Sequence, residues 1–171
     1  MANNDINVLI KELQNGNIEA FDSIYYQTKN IVFYTIFMIL KDYQLSEDIM
    51  QDTYLKALSK IHTYKRKAHF KSWLITIAKN LAINEFNRRK REMLIDLSEN
   101  EYLLGSSAST VENEILINQI FKVLSDTEKE IVLLHVIGNL KHREIGKLLN
   151  KPIGTVTWIY NKAIKKLQDE V

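Results

Sequence analysis

Apolar residues recur along this chain at intervals of three and four, and the alternation of a half-buried strand persists nowhere. The pattern predicts a first helix over about Ile6 to Leu13, a break at Asn15-Gly16-Asn17, and a second helix from about Ile18 to Leu40, interrupted near Lys29-Asn30. Ser46 is the expected N-cap of a third, with Glu47 and Asp48 in its first turn, where the helix dipole favours negative charge. That helix should run to about Ile61. After a basic loop, a fourth opens at Lys71 or Ser72, carries Trp73, Ile77, Leu81 and Phe86, and ends near Arg91. From Glu92 to Thr110 the periodicity fades, and Ser98-Glu99-Asn100-Glu101 with Gly105-Ser106-Ser107-Ala108-Ser109 has the composition of a linker. Helical spacing returns over Val111 to Leu124. Ser125-Asp126-Thr127-Glu128 then has the form of a capping box ahead of Ile131-Val132-Leu133-Leu134, in a helix that stops at Gly138-Asn139.

The last thirty residues read as a helix-turn-helix. Ile145, Leu148 and Leu149 give one helix an apolar stripe, and Gly146 permits close helix contact. Lys151-Pro152-Ile153-Gly154 leads into a second helix that Thr155 is placed to cap, with Val156 and Tyr160 facing back. This leaves Thr157, Trp158, Asn161, Lys162, Lys165 and Lys166 for a DNA groove and its phosphates. An ordinary helical hairpin fits the same residues. The fold class expected is all-α: two small helical domains, 1–92 and 111–171, joined by a flexible linker over 93–110, with the helix-turn-helix in the second.

With 46% hydrophobic residues the chain has material for a core in each domain, which excludes disorder throughout. The absence of cysteine removes disulfides, thiolate metal sites and cysteine nucleophiles, and suits a reducing cytosol. No basic segment followed by an apolar core opens the sequence, and the longest apolar run, Ile31 to Leu40, is too short for a bilayer. A soluble, cytoplasmic protein without membrane insertion is expected. The net charge of +2 conceals segregation. Cations cluster at Lys65-Arg66-Lys67, at Arg88-Arg89-Lys90-Arg91 and at Lys162, Lys165 and Lys166, whereas Asp42, Glu47, Asp48 and Asp52 form an acidic group. Two kinds of macromolecular partner become plausible.

On the third helix Asp48, Gln51, Asp52 and Leu55 fall three, four and seven apart and share a face, while Ile49, Thr53, Ala57 and Ile61 suit burial on the other. The acidic face could dock a basic partner helix, or simply be solvated. The loop Thr63-Tyr64-Lys65-Arg66-Lys67-Ala68-His69-Phe70 interleaves rings with cations, the chemistry that single-stranded nucleic acid requires. The alternative is a basic surface loop with Tyr64 and Phe70 in the core. Lys79, Asn80, Asn84, Arg88 and Arg89 continue the cationic track along the next helix. Catalysis finds little support: His62, His69, His135 and His142 lack a metal-ligand spacing, no glycine-rich phosphate cradle is present, and no cofactor is implied.

Taken in order, these features resemble the ECF (extracytoplasmic function) group of bacterial RNA polymerase sigma factors, over nearly the whole chain. Ser46-Glu47-Asp48-Ile49-Met50-Gln51-Asp52-Thr53-Tyr54-Leu55-Lys56-Ala57 is similar to the family's polymerase-docking segment. Phe70-Lys71-Ser72-Trp73-Leu74 with Ile77-Ala78-Lys79-Asn80-Leu81-Ala82 is similar to its promoter-melting helix. Leu124-Ser125-Asp126-Thr127-Glu128-Lys129-Glu130 and Ile153-Gly154-Thr155-Val156 resemble its second DNA-binding domain. The resemblance implies that Asp48, Gln51, Asp52 and Leu55 engage core RNA polymerase. It implies that Tyr64, Lys65, Arg66, Lys67, His69 and Phe70, with Asn80, Asn84 and Arg88, capture a base from the melted nontemplate strand of the minus-ten element. Thr155, Thr157, Trp158, Asn161, Lys162 and Lys165 would meet the minus-thirty-five element as duplex promoter DNA. An anti-sigma factor is implied as a further partner. The chain departs from the family pattern at Lys65-Arg66-Lys67 and Asn150, where glycine is common, at Asn84, where aspartate is, and at Trp158-Ile159, where Ser and Arg are. A stand-alone helix-turn-helix regulator, or an interaction protein that sequesters polymerase, are the competing readings.

Overall fold

A computed structural model describes residues 5–65, 69–99 and 122–169, and among them the chain forms seven α-helices and no strand. The N-terminal unit holds α1 (Ile6–Gln14), α2 (Ala20–Leu40), α3 (Tyr43–Lys60), a short 3-10 turn (Ile61–Thr63) and α4 (Phe70–Glu99). The C-terminal unit holds α5 (Asp126–Val136), α6 (His142–Leu149) and α7 (Ile153–Asp169). The fold class is the all-α one that the periodicity predicts.

Several expected boundaries move, each for a local reason. The second helix is continuous through Lys29-Asn30, and Thr28 inside it is buried against α3. The Thr28 hydroxyl donates to the Ile24 carbonyl, so the Tyr54 hydroxyl, 2.7 Å away, donates to Thr28 Oγ1 and ties α2 to α3. The cap of α3 is Asp42 rather than Ser46: its carboxylate accepts the Leu45 amide at 3.0 Å, one turn ahead of the expected start. Ser46 is fully buried within the helix, and its hydroxyl donates back to the Asp42 carbonyl. Lys41, between α2 and α3, adopts the left-handed conformation, φ 54°.

The fourth helix begins at Phe70 and continues to Glu99, through the first seven residues of the expected linker. Just ahead of that segment, carboxylate and guanidinium groups one turn apart lie along the helix: Arg88 pairs with Glu85 at 2.6 Å and with Glu92 at 2.7 Å. At 30 residues it is about 45 Å long. The rest of the linker, and the helix expected over Val111 to Leu124 apart from a turn at 122–124, lie outside the described residues.

Two faces of α4 are put to different uses. Phe70, Leu74, Ala78 and Ala82, spaced by four, pack into the N-terminal core with Ile24, Val32 and Ile36 of α2. Ile75, a third of a turn around, joins Ile31 of α2 in a second cluster, whose other members, Ile131, Leu134 and Ile145 among them, belong to the C-terminal unit. The two units therefore share an apolar contact. Polar groups border it: Lys71 Nζ donates to the Gly138 carbonyl at 3.0 Å, and Lys79 meets Glu130 at 2.6 Å. A Cβ on Gly138 would stand 2.5 Å from the Leu134 carbonyl oxygen and 3.1 Å from Ile31, so only glycine fits this approach.

The capping box is present, with the Ser125 amide donating to Glu128 at 2.8 Å and the Glu128 amide to Ser125 at 3.4 Å. Glu128 is 4% exposed and also accepts Lys166 at 2.8 Å, joining the start of α5 to the end of α7. Lys166, expected to face DNA, is thereby committed to the fold. Thr155 is not a cap. The last helix begins at Ile153, directly after Pro152, so Thr155 lies within its first turn.

Candidate nucleic-acid interface

The outer face of α3 is arranged as its spacing predicts. Asp48, Gln51, Asp52 and Leu55 are all exposed, Leu55 to 66%, while Ile49, Thr53 and Ala57 are buried behind them. Burial of the second set costs nothing in unpaired polar atoms, because the Thr53 hydroxyl donates to the Ile49 carbonyl at 2.7 Å. What remains outside is a carboxylate ridge around one large apolar side chain. Such a surface attracts a cationic partner at a distance and gives it something to bury on contact.

At the basic loop the rings and the cations part company. Tyr64 and Phe70 are 7% and 3% exposed, packed edge-on at 5.4 Å, with Trp73 within 5.5 Å of each. This corrects the expectation that their rings are open to a flipped base: the apolar faces are taken up by the core. Gln14 donates to the Ile61 and Tyr64 carbonyls and fixes the loop's start. Lys65 and His69 are exposed, whereas Arg66 and Lys67 lie outside the described residues. His69 Nε2 stands 3.6 Å from the Glu144 carboxylate of α6.

Along α4, Asn80, Asn84 and Arg88 are exposed on the continuation of that track. Arg88 is held between Glu85 and Glu92; Glu85 raises the guanidinium's affinity for its proton and is itself held below the usual carboxylate range. Arg89 reaches Asp42 at 3.1 Å and so ties α4 to the cap of α3. The backbone amide of Leu45, and secondarily Arg89, hold Asp42 below its ordinary value.

The turn between α6 and α7 passes through Asn150 in the left-handed conformation, φ 52° and ψ 46°. A Cβ on Gly146 would lie 2.7 Å from the Lys151 carbonyl oxygen, so the turn's tightness demands that glycine. On α7, Val156 and Ala163 are fully buried, while Thr155, Trp158, Asn161, Lys162 and Lys165 are exposed on the opposite side. Thr157 is half-buried and turned inward: its hydroxyl donates to the Ile153 carbonyl and lies 3.0 Å from His142 Nδ1. Since that hydroxyl hydrogen is used, His142 Nδ1 carries the proton of this bond, and Nε2 is left buried without a hydrogen-bond partner. Burial, then the neighbouring His135 ring at 4.7 Å, push His142 below the usual histidine range.

An acidic ridge, a basic loop feeding a long polar helix, and a tight helix-turn-helix thus follow one another along the chain. A family model for sigma-70 region 2 matches residues 24–92, and one for sigma-70 region 4 matches 120–169, together well over half of the chain. The chain belongs to the ECF sigma factors.

The ECF sigma factor SigW of Bacillus subtilis is 26% identical over 165 residues, covering 86% of each chain. SigM of the same organism is 29% identical over 135 residues, 77% of this chain and 82% of that one. In fold, this sigma factor is similar to a chain of the complex of RpoE with the anti-sigma factor NepR from Bartonella quintana. The TM-score there is 0.64 at 18% identity, over 89% of this chain and 96% of that one. It is also similar to a chain of the complex of CnrH with the cytosolic domain of CnrY, with a TM-score of 0.65 at 17% identity over 95% and 94%. As a sigma factor it is a transcription initiation factor that binds core RNA polymerase and directs promoter recognition. The stand-alone regulator is not favoured, because the region 2 match covers the N-terminal helices that such a regulator would devote to something else. No described helix is long and apolar enough to cross a membrane.

Sequence reasoning missed the residues at which this sigma factor's two units meet. In the sequence Lys71 and Gly138 read only as helix boundaries, Glu130 and Glu144 as ordinary helix residues, and Lys79 as part of the cationic track. Their partners lie more than fifty residues away, so no local pattern announces the pairing.

Proposed function

We propose a division of labour in which α3 grips the polymerase, the basic loop with α4 handles the melted strand, and α7 reads duplex DNA. Asp48, Gln51, Asp52 and Leu55 contact the core enzyme. Lys65, Arg66, Lys67 and His69, with Asn80, Asn84 and Arg88, hold the nontemplate strand of the minus-ten element. Tyr64 and Phe70 act behind them, as the apolar anchor that keeps the loop's ends in place. Thr155, Trp158, Asn161, Lys162 and Lys165 face the minus-thirty-five element, with Thr157 setting the helix from behind. The protein performs no covalent chemistry of its own and works in the cytoplasm on the nucleoid. Its domains are 1–92 and 111–171, with the connecting segment between them.

The observation that carries this reading is the α3 ridge: four residues that the spacing placed together stand exposed together, with Leu55 uncovered at their edge. Similarity to chains solved with anti-sigma partners supports an anti-sigma factor as the regulator, covering the same ridge and loop. Run-off transcription with purified core polymerase tests the assignment. Asp52→Lys should reduce core binding, whereas alanine at Lys65, Arg66 and Lys67 together should spare core binding and weaken open-complex formation. Normal transcription by both variants would refute it.

A further inference from the structure

The outward face of α7 carries one residue out of keeping with a solvated surface. Trp158 is 63% exposed, an uncommon state for a side chain that proteins usually bury. Its neighbours are arranged around it. Gly154, one turn earlier on the same helix, presents no side chain, and a Cβ there would meet nothing within 4 Å, so nothing screens the indole from that flank. From the other side Lys162, one turn further on, leans back and sets its ammonium 5.1 Å from the indole centroid. The ring therefore stands clear of the fold, with a bare turn on one flank and a cation on the other.

We infer that Trp158 reads the 5-methyl group of a thymine in the major groove of the upstream promoter element. The inference rests on the reading of α7 as the helix that meets duplex DNA, and deepens it by naming the base. In a helix-turn-helix the first turns of the second helix approach the base edges, and Trp158 lies in the second turn of α7. Most groups on those edges are hydrogen-bond donors or acceptors; the thymine methyl is the apolar exception. An indole has one N–H donor and no acceptor, so its broad face gains most against that methyl. Thr157 is withdrawn by its bonds to Ile153 and His142, so Thr155, Trp158 and Asn161 are the uncharged exposed side chains at the middle of this face, with Ile153 exposed at its edge. Lys162, poised over the ring, brings its charge to the same place and supplies affinity without choosing a base.

The test uses holoenzyme reconstituted from core polymerase and the full chain, wild type or Trp158→Ala, to select from duplex DNA randomised in the upstream element. Wild-type holoenzyme should enrich a thymine at one position, and the variant should lose that enrichment while keeping the rest of the element. Replacing that thymine by deoxyuridine, which lacks only the methyl, should weaken wild-type binding about fourfold, the worth of one buried methyl group. It should leave Trp158→Ala unchanged. Equal thymine enrichment by both proteins, or tolerance of deoxyuridine by the wild type, overturns the inference. So does a uniform loss of affinity for all sequences in Trp158→Ala, which would make the indole a backbone contact. Failure of wild-type holoenzyme to enrich any upstream element is a separate result and would refute α7 as a duplex reader. Trp158 supports no core packing, so thermal unfolding of the variant should match the wild type.

Discussion

Replacing Ile75 by alanine should part the two units of the free protein while leaving both folded. Ile75 is 1% exposed, yet it packs with Ile131, Leu134 and Ile145 rather than with the N-terminal core that Leu74 and Ala78 complete. Truncating a buried isoleucine to alanine costs about 2–5 kcal/mol if the site stays closed. The polar contacts around it are weaker. The Lys79–Glu130 pair has both side chains nearly a third exposed and is worth about 0–1 kcal/mol. His69 and Glu144 stand 3.6 Å apart at the rim. Lys71 gains a bond to the Gly138 carbonyl, but burial pushes its ammonium below the usual lysine range, so desolvation offsets part of that gain. The apolar term decides. A loss of about 2 kcal/mol alone shifts the closed–open ratio about thirtyfold, whereas Lys79→Ala should shift it less than about tenfold. Because the chain has no cysteine, dyes can be attached at Lys60→Cys and Lys165→Cys, both exposed, and energy transfer read directly. Transfer should fall in Ile75→Ala and hardly change in Lys79→Ala, with helical circular dichroism preserved in both. Unchanged transfer in Ile75→Ala, or equal opening by Lys79→Ala, would refute the argument that packing holds the units together.

Three further outcomes are expected. Burial and His135 lower the His142 affinity for protons in the fold, so its contribution to stability is present above the ordinary histidine value and lost as pH falls through it. The melting temperature of the C-terminal unit should therefore drop on acidification, and less steeply in His142→Asn, whose amide can still donate to Thr157. Lys41→Gly should raise stability by about 0.5–1 kcal/mol in urea unfolding, because glycine adopts the left-handed φ of 54° without steric cost and an ammonium disfavoured by desolvation and by Lys129 is removed. Tyr54→Phe should cost about 1 kcal/mol in the same assay, since it deletes a buried bond to Thr28 but leaves the Thr28 hydroxyl still donating to Ile24.

The two faces of α3 were legible because an amphipathic helix writes them into residue spacing: Asp48, Gln51, Asp52 and Leu55 outside, Ile49, Thr53 and Ala57 inside. Its start was misread because Ser46-Glu47-Asp48 mimics an N-terminal signature, while Asp42 offers the same chemistry one turn earlier and wins by its bond to Leu45. The tail of α4 was misread for the opposite reason. Met93, Leu94 and Ile95 are exposed, so no buried stripe marks the helix there, and the Arg88–Glu92 pair ends just ahead of it. Tyr64 and Phe70 show a limit of composition: alternating rings and cations are equally consistent with stacking platforms and with anchors, and only their burial separates the two. The seam between the units was invisible because Ile31 and Ile75 look like ordinary members of their own helices' apolar stripes.

The Glu128 carboxylate has a consequence for how the molecule withstands oxidants. By binding the Ser125 amide and the Lys166 ammonium together, it fastens the two extremities of a small domain, a task that secreted proteins of this size give to a disulfide. Lys166 in turn holds this carboxylate below its usual range, so the fastening stays ionised near neutrality. Peroxide or a shifting thiol poise finds no sulfhydryl anywhere in this chain to attack. The domain's closure is thereby made indifferent to redox state, and answers to ionic strength and acid instead.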